Sequence, residues 1–181
     1  MKKLPNLGIM GKMGSGKGFA SKYLVKKYGY TVIGMGNIVR AVARKDRIKP
    51  TRENLEKLQK KYSKHGKDFV IEKVMEKAAS IKGPIILDGI RKPNQAKFAR
   101  EKLNAVLIDV DASPMIRFER IKKRRRANFP DTFEKFKESE HNEEKIFHIN
   151  RTLKMAKFKI NNDSGAKALY GGLEDILQKF K

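Results

Sequence analysis

The stretch Gly11-Lys12-Met13-Gly14-Ser15-Gly16-Lys17-Gly18 constrains this chain more than any other. It follows an apolar run, Leu7 to Met10, and precedes a helix-like run, Phe19 to Lys27. A strand, a glycine turn and a helix N-terminus in that order make an anion site. The helix start leaves N–H groups unpaired, and glycines let the backbone curl close to phosphate oxygens. Lys17 adds a point charge for the outer phosphates and completes the G-x4-G-K pattern. That pattern ordinarily continues with Ser or Thr, whose hydroxyl holds Mg²⁺; here Gly18 follows, then Phe19. Gly11, Met13, Gly14, Ser15, Gly16, Lys17, Gly18 and Phe19 are thus the expected nucleotide-binding set.

The chain of 181 residues is long enough for one α/β domain with a core. No apolar run approaches the ~20 residues of a membrane span, and Met1 to Pro5 leads straight into the first strand, so neither a membrane partner nor a leader peptide is expected. Cysteine is absent, which rules out disulfides and Cys-based zinc sites, and His65, His141 and His148 show no ligand spacing. A reducing, cytoplasmic setting is expected. Lys and Arg number 43 against 20 acidic residues, a net charge of +23. Such an excess attracts polyanions, whether phosphate-rich substrates or RNA. The run Lys122-Lys123-Arg124-Arg125-Arg126 is its densest point.

Read in order, the chain alternates strands and helices about five times. Strands are expected at Leu4 to Met10, Tyr30 to Ile33, Ile85 to Leu87, Ala105 to Val110 and Phe158 to Ile160. Ile85-Ile86-Leu87, a continuous apolar run bounded by breakers, fits a parallel central strand. Asn37 is the expected cap of a second helix, and Thr51 of a third. Further helices are expected at Phe69 to Ala79, from Pro93, from Met115 to Arg126, from Glu143 to Met155 and from Ala168 to Phe180. The charged helical segment 37–66 reads as an inserted arm rather than core, and 127–139 as a mobile flap. This order predicts a parallel sheet covered on both faces. Ligands in such sheets bind at the carboxyl ends of the strands.

Four segments line up with that rule. The glycine loop ends strand one, and Gly36-Asn37-Ile38-Val39-Arg40 follows strand two. Asp88-Gly89-Ile90-Arg91 follows strand three, and Arg117, Arg120 and Arg124 recur at helical spacing ahead of the flap. In this order they resemble the nucleoside monophosphate kinases, a branch of the P-loop fold. Adenylate kinases carry Gly-Lys-Gly-Thr, Gly-Asp-Met-Leu-Arg and Asp-Gly-Phe-Pro-Arg at the matching places. The chain also resembles small archaeal-type nucleotide-kinase-like proteins often described as dephospho-CoA-kinase-like. Those share Asp-Gly-Ile-Arg and a late Asn-Asp/Ser-Gly loop, here Asn162 to Gly165. The stretch Arg91 to Gln95 is similar to one in phage-type deoxynucleoside monophosphate kinases.

The resemblance implies a three-layer α/β/α P-loop domain with a five-stranded parallel sheet and two helical lid insertions. Its core would be 1–36, 67–126 and 140–181, its acceptor-binding arm about 37–66 and its lid about 127–139. It implies ATP and Mg²⁺, and phosphoryl transfer to a nucleotide acceptor. Lys17 and the loop N–H groups would hold the donor phosphates. Arg40 and Arg91, beside Gly36, would clamp the acceptor monophosphate, where a guanidinium fork suits better than an ammonium. Asp88 would stand beside Mg²⁺. Arg120 and Arg124 would close over the donor phosphates, with Asn162 near the donor base.

The sequence departs from the family in three places. Gly18 and Phe19 offer no hydroxyl, Asn37 replaces an acidic residue, and Ser139 stands about where relatives place an arginine. Two alternatives therefore stay open: 3′-phosphorylation of dephospho-CoA, and an RNA-associated P-loop ATPase with weak kinase activity.

Overall fold

The structure, a computed structural model, describes residues 4–62, 68–124 and 130–180. Five strands form one sheet: β1 (Leu7–Met10), β2 (Thr31–Gly34), β3 (Ile85–Asp88), β4 (Val106–Asp111) and β5 (Phe158–Asn161). Every pairing is parallel and the spatial order is β2-β3-β1-β4-β5. The first strand is therefore central, flanked by β3 and β4. At β1 the order of connection reverses, which is where open α/β sheets place ligands.

Alternation along the strands sends side chains to two layers. Met10, Ile33, Leu87 and Leu107 meet Ile38, Val39, Val74 and Ala99 on one face. These come from α2 (Met35–Lys45), α4 (Phe69–Ala79) and α5 (Pro93–Lys102). Leu7, Ile9, Ile86 and Val110 meet Ala20, Leu24, Leu169 and Leu173 on the other, from α1 (Lys17–Tyr28) and α9 (Ala166–Gln178). The three-layer parallel architecture expected from the sequence is what the chain adopts. Among the described residues no helix is long and apolar enough to cross a membrane.

Several boundaries differ from the sequence reading, each for a local reason. Asn37 does not cap α2; the helix starts at Met35 behind extended Gly34, so Asn37 lies inside its first turn. Its carboxamide oxygen instead accepts from Arg40 Nη2 at 2.5 Å. Thr51 does cap α3 (Arg52–Tyr62), accepting from Asn54 N at 3.3 Å. The segment read as an inserted arm contributes Ile38, Val39, Ala43 and Leu58 to the main core cluster. The second half of the expected flap is ordered: α7 runs Phe133–Phe147, capped by the Thr132 hydroxyl. Residues 125–129, including Arg125 and Arg126 of the basic run, lie outside the described residues. The single helix expected over Glu143 to Met155 is split at His148, in the left-handed region at φ 52°, into α7 and α8 (Ile149–Leu153). Met13, Phe118, Ile121, Phe133 and Phe136 make a third, smaller cluster. It packs α6 (Pro114–Lys123) and α7 beside the glycine loop.

Candidate nucleotide and acceptor site

The glycine loop connects the tip of β1 to α1. Gly11, Gly14 and Gly16 have φ of 143°, 81° and 111°, a region that side chains disfavour. Space forbids them as well. A Cβ on Gly14 would stand 2.5 Å from the Arg117 carbonyl oxygen, and one on Gly16 would stand 2.1 Å from Asn162 Nδ2. The loop is therefore shaped by its glycines and held from outside by two neighbours. Asn162 Nδ2 donates to Ser15 O at 2.7 Å, and Arg117 Nη1 to Met13 O at 3.3 Å.

Lys17 is half-buried at the loop, and its Nζ donates to Gly11 O at 2.6 Å and Lys12 O at 2.9 Å. Burial lowers its pKa to about 8; Asp88 opposes that shift and Arg91 adds to it. The ammonium is thus poised at the loop mouth beside the tip of β3. Asp88 closes that strand, opposite Ile9 on one side and Gly34 on the other. Its carboxyl is pushed up by burial, against the attraction of Lys17, Arg91 and Arg40. These four charged groups share one locality at the carboxyl end of the sheet.

Arg40 and Arg91 open into a cavity on the β2–β3 side, together with Met35, Gly36, Val39, Leu55, Gln59 and Phe147. The two arginines expected to clamp an acceptor therefore face one space next to Lys17. Arg91 is positioned from both its ends. Its N–H donates to Gln95 Oε1 at 3.2 Å, its carbonyl accepts from the Thr152 hydroxyl at 2.9 Å, and its guanidinium stacks 5.5 Å from the Phe147 ring centre. The guanidinium also pairs with Glu143 at 3.3 Å.

On the other side of the loop, Gly16, Phe19, Arg120, Arg124, Asn162 and Leu169 line a second cavity of about 370 Å³. Arg120 Nη2 donates to Asn162 O at 2.7 Å. The three arginines of the α6 stripe part company here. Arg124 is exposed and Arg120 is half-buried at the cavity, while Arg117 is only 2% exposed and belongs to the support under the loop. Asn162, expected near the donor base, is buried against the loop. Ser15 faces inward, with a buried hydroxyl that finds no hydrogen-bond partner among the described residues.

Sequence reasoning missed three groups. Glu140 and Glu143 lie on the buried stripe of α7, with the spacing Phe136, Glu140, Glu143, Phe147 that puts all four on one side of a helix. That spacing was the available signal; reading the region as a flap concealed it. Glu140 forms a two-point ion pair with Arg117. Asp109, buried on β4, was hidden inside an apolar strand. Burial and neighbouring Asp111 push its carboxyl up to about 6, and its Oδ1 has no hydrogen-bond partner among the described residues.

The donor set fits a nucleotide with a hard cation. The glycine loop carries Lys17 and backbone N–H groups, the donors that phosphates require. Asp88 is the one carboxylate the sequence pattern aims at the same place. Mg²⁺ is commonly held by one or two carboxylates plus phosphate oxygens and water, so a cage of protein ligands is unnecessary. Among the described residues no group of three His, Asp or Glu side chains forms one.

Comparison with known proteins agrees with this geometry. A family model described as an AAA domain matches residues 10–137. A UPF0200 protein of Staphylothermus marinus is 30% identical over 172 residues, covering 94% of this chain and 90% of that one. A UPF0200 protein of Hyperthermus butylicus is 38% identical over 132 residues, 72% of this chain and 70% of that one. The shikimate kinase of Acinetobacter baumannii, solved in complex with shikimate, superposes with a TM-score of 0.64 at 15% identity, over 98% of this chain and 94% of that one. The shikimate kinase of Bacteroides thetaiotaomicron gives 0.64 at 10%, over 97% and 98%. At these identities the likeness is one of fold, and the fold is that of the P-loop kinases.

Proposed function

The chain belongs to the AAA-domain family, among the UPF0200 proteins, and we propose that it transfers the γ-phosphoryl group of ATP to a nucleoside monophosphate or similar nucleotide acceptor. One observation carries the reading. Two cavities flank the glycine loop on opposite sides, one bearing Arg40 and Arg91 and the other Arg120 and Arg124. Lys17 and Asp88 lie close enough for each to act on the other's charge, and Arg40 and Arg91 act on Asp88 as well. Phosphoryl transfer asks little covalent chemistry of a protein; it asks that two anions be held in line and the developing charge be neutralised.

The bond from the γ-phosphorus to the β–γ bridging oxygen breaks, and a new bond forms to a phosphate oxygen of the acceptor. Lys17 and the loop N–H groups hold the donor's outer phosphates. To do so Lys17 exchanges its bonds to Gly11 O and Lys12 O for phosphate oxygens. Arg40 and Arg91 hold the acceptor anion. Asp88 is placed to hold Mg²⁺ together with the phosphates, and the ion would supply charge neutralisation there. Gly18 and Phe19 provide no hydroxyl ligand, so the metal would lean on Asp88 and the nucleotide itself. The apolar wall of Met35, Val39, Leu55 and Phe147 would exclude water, favouring transfer over hydrolysis.

The test is a panel of acceptors, nucleoside monophosphates, deoxynucleoside monophosphates and dephospho-CoA, incubated with ATP and Mg²⁺ and read by product mass. One acceptor gaining a phosphoryl group is expected, with the activity abolished in Lys17→Ala while that variant stays folded. ADP release by Lys17→Ala at the parent rate would defeat the assignment.

A further inference from the structure

We propose that Phe19 is the stacking platform for the donor's nucleobase, so that an aromatic face replaces the hydroxyl usual at this turn as a source of donor affinity. The inference rests on the donor reading above and adds to it a residue and a kind of contact. Phe19 is the third residue of α1. Its helix neighbours Ala20 and Leu24 are fully buried in the core, yet Phe19 is 52% exposed. It spends that exposure at the mouth of the cavity shared with Gly16, Arg120, Asn162, Gly165 and Leu169. A phenyl ring, a leucine and an arginine on the wall of one cavity offer apolar and cationic faces to a flat heterocycle. Every nucleobase has a face that stacks on an aromatic ring, and guanidinium planes stack on bases too.

A second observation points the same way. Asn162 is 4% exposed, and while its Nδ2 is used on Ser15 O, its Oδ1 has no partner among the described residues. Arg120 bonds through Nη2 to the Asn162 backbone, and its buried Nη1 likewise has no partner among the described residues. One acceptor and one donor are left unpaired on adjacent residues of the cavity wall. Buried polar atoms are normally satisfied. The edge of a nucleobase presents a donor next to an acceptor, the complement of this pair.

Binding of ATP and of inorganic tripolyphosphate, measured by titration calorimetry, separates base from phosphate contacts. Phe19→Ala is expected to lose about ten-fold or more in ATP affinity and to bind tripolyphosphate as the parent does. The chain has no tryptophan, so Phe19→Trp supplies a single indole. Its emission is expected to change on adding ATP and to stay unchanged with tripolyphosphate. Equal ATP affinity in Phe19→Ala and parent, or an equal loss for both ligands, would overturn the proposal. The donor reading fails separately, if Lys17→Ala binds tripolyphosphate as tightly as the parent, and the stacking role then falls with it.

Discussion

Arg117 and Glu140 meet in a two-point ion pair beneath the glycine loop, both nearly out of contact with water. Arg117 also donates to Ala112 O at 2.8 Å and to Met13 O, and lies 5.3 Å from the ring centre of Phe136. One guanidinium thus joins the end of β4, the nucleotide loop and α7. Glu140→Ala strands a buried cation, so a loss of about 3–5 kcal/mol in unfolding free energy is expected in urea titrations. The double variant Arg117→Met/Glu140→Leu should recover much of that loss, because an apolar pair of similar volume leaves no charge uncompensated.

Lys17 must carry its proton to hold a triphosphate. Burial sets its pKa near 8 instead of the usual 10.5. The ammonium is therefore present below pH 8 and lost as pH rises through that value. ATP affinity in the unliganded protein should weaken from about pH 7.5 upward, over a range where ordinary lysines hold their charge. Calorimetric titrations at pH 6.5, 8 and 9.5 check this; a flat profile to pH 9.5 would contradict it.

Asp109 is expected to cost stability when ionised. Its folded pKa of about 6 lies above the ordinary 3.8, raised first by burial and then by Asp111. The folded state therefore binds more protons between those two values, and this group's contribution to stability falls as pH rises through the window. Asp109→Asn removes the titration. The variant should melt higher than the parent at pH 8, by an equivalent of up to about 3 kcal/mol, and the gap should close below pH 4. Thermal melts across pH provide the measurement.

If Arg91 holds an acceptor anion as proposed, Glu143, which pairs with its guanidinium, would compete for it. The pair is half open to solvent, so its strength is on the order of 1 kcal/mol or less. Glu143→Gln should tighten acceptor binding several-fold while ATP affinity changes little. The acceptor dissociation constant, measured beside a non-hydrolysable ATP analogue, decides. Weaker acceptor binding would instead make Glu143 a brace that holds Arg91 in position.

The parts of this fold that were legible in the sequence are those with a local signature. The glycine loop, the apolar strands, the Thr51 cap and the Asp88-Gly89-Ile90-Arg91 turn declare themselves through spacing and residue type. What stayed hidden depends on contacts between distant segments. Nothing near Arg117 announces that it faces Met13 and Glu140 rather than solvent, because a charged residue on a helix surface reads as exposed. Nothing beside Asn162 announces that its carboxamide braces the glycine loop, because its partner, Ser15 O, lies far away in the chain. Ordering of α7 from Phe133 was obscured by its polar composition; it owes its burial to Phe118 and Met13, which lie outside it.

The central place of β1 sets the order in which this protein can assemble on the ribosome. Of the five strands the loop strand is made first, but its two neighbours are residues 85–88 and 106–111. A nascent chain that has not yet released residue 111 leaves one edge of the phosphate cradle open to other strands. The cradle's last brace, Asn162, arrives later still. The glycine loop is therefore fully braced only once residue 162 has been made, and chains truncated before it should present the motif without the grip.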